Sequence, residues 1–394
     1  MIKSIQIKNF KSVVDLSLDL GTFNVLIGEN GCGKSNILEA VAFGAAASND
    51  KLDYEYFGNR GIRATNPEFM YSAFSNGKKK KSIAINITTH ERVYQYDLVS
   101  DPTNPQKWIN KNKEHALKEI DNFIQILREK VKTIIADEKN ETAKIPEVDN
   151  DQEKKYSLND IINATSSTVE ELFFNSDIAS YIIYSPEQSS LRKFEETNQI
   201  YPLGIKGDGL FKYLKELAFG TKNQKILTEI QKNLILLDWY EGFELPDNLM
   251  QNEFSLKIKD KYLFENLKYF DQRSTNEGFL FLLFYSTLFI SKATPTFFAI
   301  DNIDASFNPK LCMQLIRNLA ALAKKHKKQV IVTTHNPAIL DGLNLKDDSQ
   351  RLFVVRRNDE GHTKAKRIEF KSERQMKLSE VWTNGFIGGL PENF

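Results

Sequence analysis

Apolar positions alternate from the first residues of the chain. Ile2, Ile5 and Ile7 are apolar with Lys3 and Gln6 polar between them, the period of a half-buried strand. A second strand pattern covers residues 16–20, and residues 23–27 form a short apolar run ending at Gly28, as a buried central strand would. The period then changes: Ile37, Leu38, Val41 and Ala42 share one face of a helix starting near Lys34. Residues 82–88 and 92–99 predict two antiparallel strands joined by a turn near Thr89 and His90.

From about residue 101 to 167 the chain is polar and rich in Lys and Glu, with a helical run over 115–135 and a Pro- and Asp-containing break over 145–152. This predicts a helical insertion with a linker. A solvated arm and a recognition module both fit the pattern. Residues 170–184 predict a return to the core, and 204–219 combine the glycines Gly204, Gly207 and Gly209 with an amphipathic helix. An apolar helix from Gly278 to Ile290 is followed by a strand over 296–300, a helix over 310–325 and a strand over 329–333. That alternation predicts a mostly parallel sheet with helices on its faces. The expected divisions are 1–100, an N-terminal lobe with the antiparallel strands; 101–167, the insertion; 168–372, a C-terminal lobe; and 373–394, a tail.

Composition narrows the class. The chain has 394 residues, 41% hydrophobic and 27% charged, enough for a sizeable core. With 53 basic and 52 acidic residues the net charge of +1 gives no global drive toward nucleic acid, although a local basic groove stays open. The four lysines at 78–81 could touch phosphates or form a solvated hairpin tip. The opening M-I-K-S-I-Q-I-K-N-F-K-S is alternating and charged, so no signal peptide is expected, and no stretch is long enough to span a bilayer. Only Cys32 and Cys312 occur, which fits a reducing cytoplasm.

The chemistry concentrates in three segments. Gly28, Glu29, Asn30, Gly31, Cys32, Gly33, Lys34 and Ser35 match G-x-x-x-x-G-K-S, between an apolar strand and an amphipathic helix. In that context the glycines let backbone wrap closely around phosphates, with Asn30, Gly31, Cys32 and Gly33 lining the anion. Lys34 would neutralise charge on the β- and γ-phosphates of ATP, and Ser35 would ligate Mg²⁺. The strand over 296–300 ends in Asp301, a carboxylate placed to hold Mg²⁺ through water, as a Walker B segment does. The strand over 329–333 delivers His335 at its carboxyl end, where ligands of open α/β sheets sit. A lone His there is as readily structural; one helix after a Walker B strand it reads as a switch that senses the γ-phosphate.

Taken together, I-x-x-F-K-S over 7–12, the phosphate loop, I-D-N-I-D-A-S-F-N-P over 300–309 and T-T-H-N-P over 333–337 resemble the ABC-type ATPases of the RecF/SMC class. More narrowly, the chain resembles AAA-family ATPases of bacterial antiphage and OLD-like systems; Y-S-P-E over 184–187, Leu191–Arg192 and G-I-K-G over 204–207 are similar to that group. The resemblance implies an α/β fold, an ABC-type head with a mostly parallel central sheet, an antiparallel β subdomain and a helical insertion. It implies a homodimer or higher oligomer of heads, with ATP held between one phosphate loop and the partner's signature segment. The candidates for that segment are Ser274, Asn276 and Gly278, just before the apolar helix; an ordinary helix cap fits them too. Lys11 and Ser12 sit where this class contacts nucleotide, and Asn36 follows Ser35 as in SMC-like loops.

One departure weakens turnover. The class places a glutamate after the Walker B Asp, and this chain has Asn302. An amide orients water but cannot accept its proton at neutral pH, so Asp304 is the substitute base if the loop bends inward. Slow hydrolysis is expected. No nuclease pattern is visible and little chain follows Phe370, so an effector such as a nuclease is expected on a separate chain. The resulting expectation is the ATPase subunit of an antiphage system. A DNA-repair or chromosome-maintenance ATPase that binds nucleic acid, and a non-hydrolysing scaffold holding ATP, are the alternatives.

Overall fold

Period-two alternation inside apolar strands decides which face each residue covers, and here both faces are covered. The computed structural model describes residues 1–74, 82–138, 171–193, 200–219, 223–245, 256–264, 267–304, 307–372 and 375–390, without the side chains of 123 and 127–138. The lysines at 78–81, the break at 145–152 and Ala305–Ser306 therefore lie outside the described residues.

In chain order the described strands and helices are β1 (Ile2–Phe10), β2 (Val13–Asp19), β3 (Phe23–Ile27), α1 (Lys34–Ser48), α2 (Tyr54–Asn59), α3 (Pro67–Met70), β4 (Ile83–Thr89), β5 (Val93–Ser100), β6 (Trp108–Asn110) and α4 (Lys111–Glu138). There follow α5 (Ser176–Ala179), β7 (Ile183–Tyr184), α6 (Gln188–Leu191), α7 (Leu210–Phe219), α8 (Gln224–Leu234), β8 (Tyr240–Glu244) and β9 (Lys257–Asp260). The last are α9 (Glu277–Ile290), β10 (Phe297–Ile300), α10 (Pro309–Lys325), β11 (Gln329–Thr334), a 3-10 turn (Pro337–Gly342), β12 (Gln350–Arg357), β13 (Thr363–Ile368) and α11 (Leu378–Thr383).

A six-stranded sheet runs β13-β12-β3-β11-β10-β7, parallel except for the β12–β13 hairpin at its edge. Phe23, Val25 and Ile27 of β3, Phe298 and Ile300 of β10, and Val330 and Val332 of β11 enter one core with α7, α8, α9 and α10. Leu26, Phe297, Ala299 and Ile331 enter the other core with α1 and the antiparallel sheet β2-β1-β4-β5-β6. Strands buried on both faces read as apolar runs: β10 is unbroken, and β3 is interrupted only by buried Asn24, whose side chain donates to the Gly21 and Val330 carbonyls. Helix α9 is apolar all round for the same reason: Phe279 to Ile290 are all buried, with α8, α10 and α6 packed against it. Two free, buried cysteines and no disulfide complete the interior. No helix among the described residues is long and apolar enough to cross a membrane.

The mostly parallel sheet, the antiparallel sheet and the helical run of the insertion stand as expected, with element ends moved by a few residues. The main addition is the β12–β13 hairpin, which the sequence pattern did not mark because Arg356 and Arg357, and then Lys364, Lys366 and Arg367, interrupt its apolar run.

Leu282 in α9 has no exposed surface. Leu282→Ala is expected to lower unfolding free energy by about 2–5 kcal/mol, read from a chemical denaturation midpoint.

Candidate functional site

The phosphate-loop sequence forms the turn between β3 and α1, and its shape is enforced from behind. Gly33 has φ +107, and a Cβ there would stand 2.1 Å from Thr363 Oγ1 and 2.9 Å from Ser12 Oγ. At Gly28 a Cβ would stand 2.1 Å from the Val355 carbonyl oxygen. Only glycine fits either place. A donor chain braces the loop: Asn36 Nδ2 donates to Ser12 Oγ (2.7 Å), the Ser12 and Thr363 hydroxyls pair at 2.7 Å, and Thr363 Oγ1 donates to the Cys32 carbonyl (2.9 Å). Arg357 Nε donates to the Gly31 carbonyl at 2.9 Å. Inside the loop the buried Lys34 ammonium donates to the carbonyls of Gly28 and Glu29, each at 2.9 Å, and burial pushes its pKa down. Exposed Asn30 and Gly31, with half-buried Glu29, form the outer rim.

Two neighbouring strand ends supply the acids and the histidine. β10 ends at Asp301, whose amide donates to the Tyr184 carbonyl of β7 (2.8 Å). Its carboxylate accepts Ser35 Oγ on one oxygen at 3.0 Å and the Thr333 hydroxyl of β11 on the other. Two oxygens bound about 2.1 Å from an octahedral Mg²⁺ at right angles lie about 3 Å apart, so Ser35 and Asp301 fit adjacent positions on such an ion. Among the described residues no group of three or more His, Cys, Asp or Glu could hold a metal ion.

Asn302 is exposed, adopts the left-handed φ of 57°, and donates its backbone N–H to Thr333 Oγ1 at 2.9 Å. Asn tolerates that backbone better than Glu, so this position has a conformational reason for its amide. Asp304 accepts from Thr334 Oγ1 at 2.6 Å. His335 follows β11 at the same edge, against the Gly28 backbone and within the fields of Lys34, Asp304 and Asp301. Although its ring keeps one side open to solvent, partial desolvation and then the Lys34 ammonium hold it below the ordinary 6.5. Lys34, Ser35, Asp301, Asn302, Asp304 and His335 thus meet at one sheet edge.

Other expected residues have different partners. Lys11, on the β1–β2 turn, pairs with the nearly buried Glu39 of α1, as does Arg63, and burial lowers the Lys11 pKa. Asn276 caps α9, accepting from the Phe279 amide at 2.9 Å, and Ser274 is bonded to Asp271. Gly278 lies in the first turn of that helix. Thr363, Arg357, Glu39 and Arg63 were missed from sequence. Thr363 and Arg357 reach the loop from more than 320 residues away, so no local signal could have marked them.

Residues 23–341 match the family described as "AAA domain, putative AbiEii toxin, Type IV TA system". A 41-residue stretch is 44% identical to an OLD nuclease of Thermus scotoductus, covering 10% of this chain and 8% of that protein. The chain therefore spans only a small part of that curated relative. Among solved structures, the SmcHead bound to the C-winged helix domain of ScpA is 16% identical with a TM-score of 0.53, over 95% of this chain and 100% of that one. An SMC head domain from Thermotoga maritima is 14% identical with a TM-score of 0.46, over 94% of this chain and 99% of that one. What the chain shares with the SmcHead structure is the fold.

Gly33→Ala is expected to lower stability by roughly 1–3 kcal/mol, part of it recovered when Thr363→Ala is added, because the second change removes the contacts with Thr363 but not that with Ser12 Oγ nor the φ. A double-mutant cycle by denaturation checks this. For His335, an NMR titration of the ring protons is expected to give a midpoint below 6.5, with the neutral ring present at pH 7.

Proposed function

Since the matching family spans residues 23–341 of 394, the chain belongs to the AAA-domain, AbiEii-type family, and on that premise we propose that it is an ATP-gated dimerising ATPase with slow turnover. The observation that supports this most is the Ser35–Asp301 hydrogen bond beside the Lys34 ammonium, with His335 at the same end of the sheet. In this scheme Lys34 turns from the Gly28 and Glu29 carbonyls to the β- and γ-phosphates of ATP. Ser35 and Asp301 hold Mg²⁺, which offsets phosphate charge when bound, while Thr333 fixes the carboxylate. Neutral His335 donates a hydrogen bond toward the γ-phosphate.

Asn302 orients water without taking its proton, and Asp304, already accepting from Thr334, is the nearest alternative base. ATP then acts chiefly as a long-lived ligand between two heads, each covering the partner's nucleotide with residues 274–278. The SMC-head likeness supports the head fold on which such a dimer is built. As biological role we propose the ATPase subunit of an antiphage complex working with a separate, nuclease-like effector in the cytoplasm. The family and the short stretch shared with an OLD nuclease support it. The lobe, insertion and tail divisions at 100, 167 and 372 belong to the same proposal.

Lys34→Ala is expected to weaken binding of a fluorescent ATP analogue at least tenfold. Asn302→Glu is expected to raise phosphate release about 10²-fold, the lower range of general-base effects. Unchanged release from a folded Asn302→Glu protein would sink the account of slow turnover. An inert wild type rescued by that variant favours the scaffold alternative, and DNA affinity that falls steeply between two salt concentrations favours the DNA-binding one.

A further inference from the structure

Arg192 makes an unusual set of bonds at the segment proposed to act in trans. It follows α6, and its guanidinium donates to three backbone carbonyls within four residues: Gln272 (2.9 Å), Arg273 (2.6 Å) and Thr275 (2.9 Å). The next residue, Asn276, caps α9. A planar fork with fixed donor directions suits this task better than an ammonium, because it fixes the orientation of the whole turn. A loop that must meet another subunit's phosphate needs such fixing, since ordering it at the moment of contact costs affinity.

The arginine is itself anchored. Leu191 is fully buried and fills the space beside Gly207, where a Cβ would stand 2.4 Å from Leu191 Cδ2. The Glu187 amide donates to the Lys206 carbonyl at 3.0 Å, and the Ser185 amide to Ile205 at 2.9 Å. One residue earlier, Tyr184 accepts the Asp301 amide at 2.8 Å. Nine residues of chain, 184–192, therefore run from β7, whose Tyr184 carbonyl holds the amide of the candidate metal-site residue Asp301, to the segment before α9.

We propose that Arg192 is a positioning residue that holds residues 272–276 in the conformation required to close over a partner subunit's ATP. This rests on the proposed dimer and adds the residue that prepares its trans contact. Its role is exercised through those three carbonyls.

Trans complementation in the full chain tests it. Each of Arg192→Ala, Arg192→Lys, Lys34→Ala and Asn276→Asp is made; the Asp keeps the helix cap but places an anion against the partner's phosphate. Binding of a fluorescent ATP analogue, dimerisation by sedimentation, the fraction of analogue retained after a chase with unlabelled ATP, and melting temperature are measured. Arg192→Ala is expected to bind the analogue within about twofold of wild type, with at least tenfold weaker ATP-dependent dimerisation and no slowly released fraction. Arg192→Lys falls between.

Mixing Arg192→Ala with Lys34→Ala restores slow release, because one composite site then has an intact phosphate loop facing an intact segment. If Arg192→Ala dimerises like wild type, or loses analogue binding, the proposal is overturned. It is also overturned if Asn276→Asp complements Lys34→Ala while Arg192→Ala does not. If neither complements, the sandwiched dimer itself fails. A melting temperature lowered in Arg192→Ala but not in Arg192→Lys leaves the lysine variant to decide by the same criteria.

Discussion

Parallel pairing of β3, β11 and β10 is the constraint on which the site depends. Register fixes Ile27 beside Thr334 and Ile300 beside Val332, so three chain segments reach their carboxyl ends at one edge. Parallel strands need crossovers, and the helices that make them bury both faces of the sheet. The polar groups at that edge are consequently held by apolar packing beneath them rather than by one another. Thr333 illustrates the arrangement: its hydroxyl donates to the Asp301 carboxylate and its oxygen accepts the Asn302 backbone N–H, so one buried side chain holds the carboxylate and the turn that follows it.

Much of this was legible in the sequence, and for identifiable reasons. The phosphate loop is a contiguous motif whose glycine spacing carries its own physical requirement, so Gly28, Gly33, Lys34 and Ser35 could be read directly. Asp301 and His335 could be read because each ends an apolar strand. What could not be read depends on contacts between distant segments. Ser12 reads as a residue beside a nucleotide; in the structure its hydroxyl joins Asn36 and Thr363 behind the loop. Lys11 likewise faces Glu39, a carboxylate that the helical pattern of α1 hides among apolar neighbours. The hairpin bearing Thr363 was not marked at all, because charged residues break its periodicity.

The left-handed backbone at Asn302 changes how that residue is understood. Its amide need not be only a weakened catalytic group, since the turn after Asp301 favours a side chain that tolerates positive φ. A glutamate in the same turn would carry strain of roughly 1 kcal/mol. Conformation and chemistry therefore favour different residues at this single position, and the chain has the one that suits the turn.

The bracing of the loop by Thr363 also bears on synthesis. The ribosome releases the glycine-rich segment early, with β3 and α1 close behind it, yet the hydroxyl that supports the Cys32 carbonyl is made some 330 residues later. A nascent N-terminal lobe has the residues for phosphate but lacks the wall that shapes them. The rear wall of the loop is therefore complete only once the edge hairpin has docked, so the shape of an early segment depends on one of the last strands to be made.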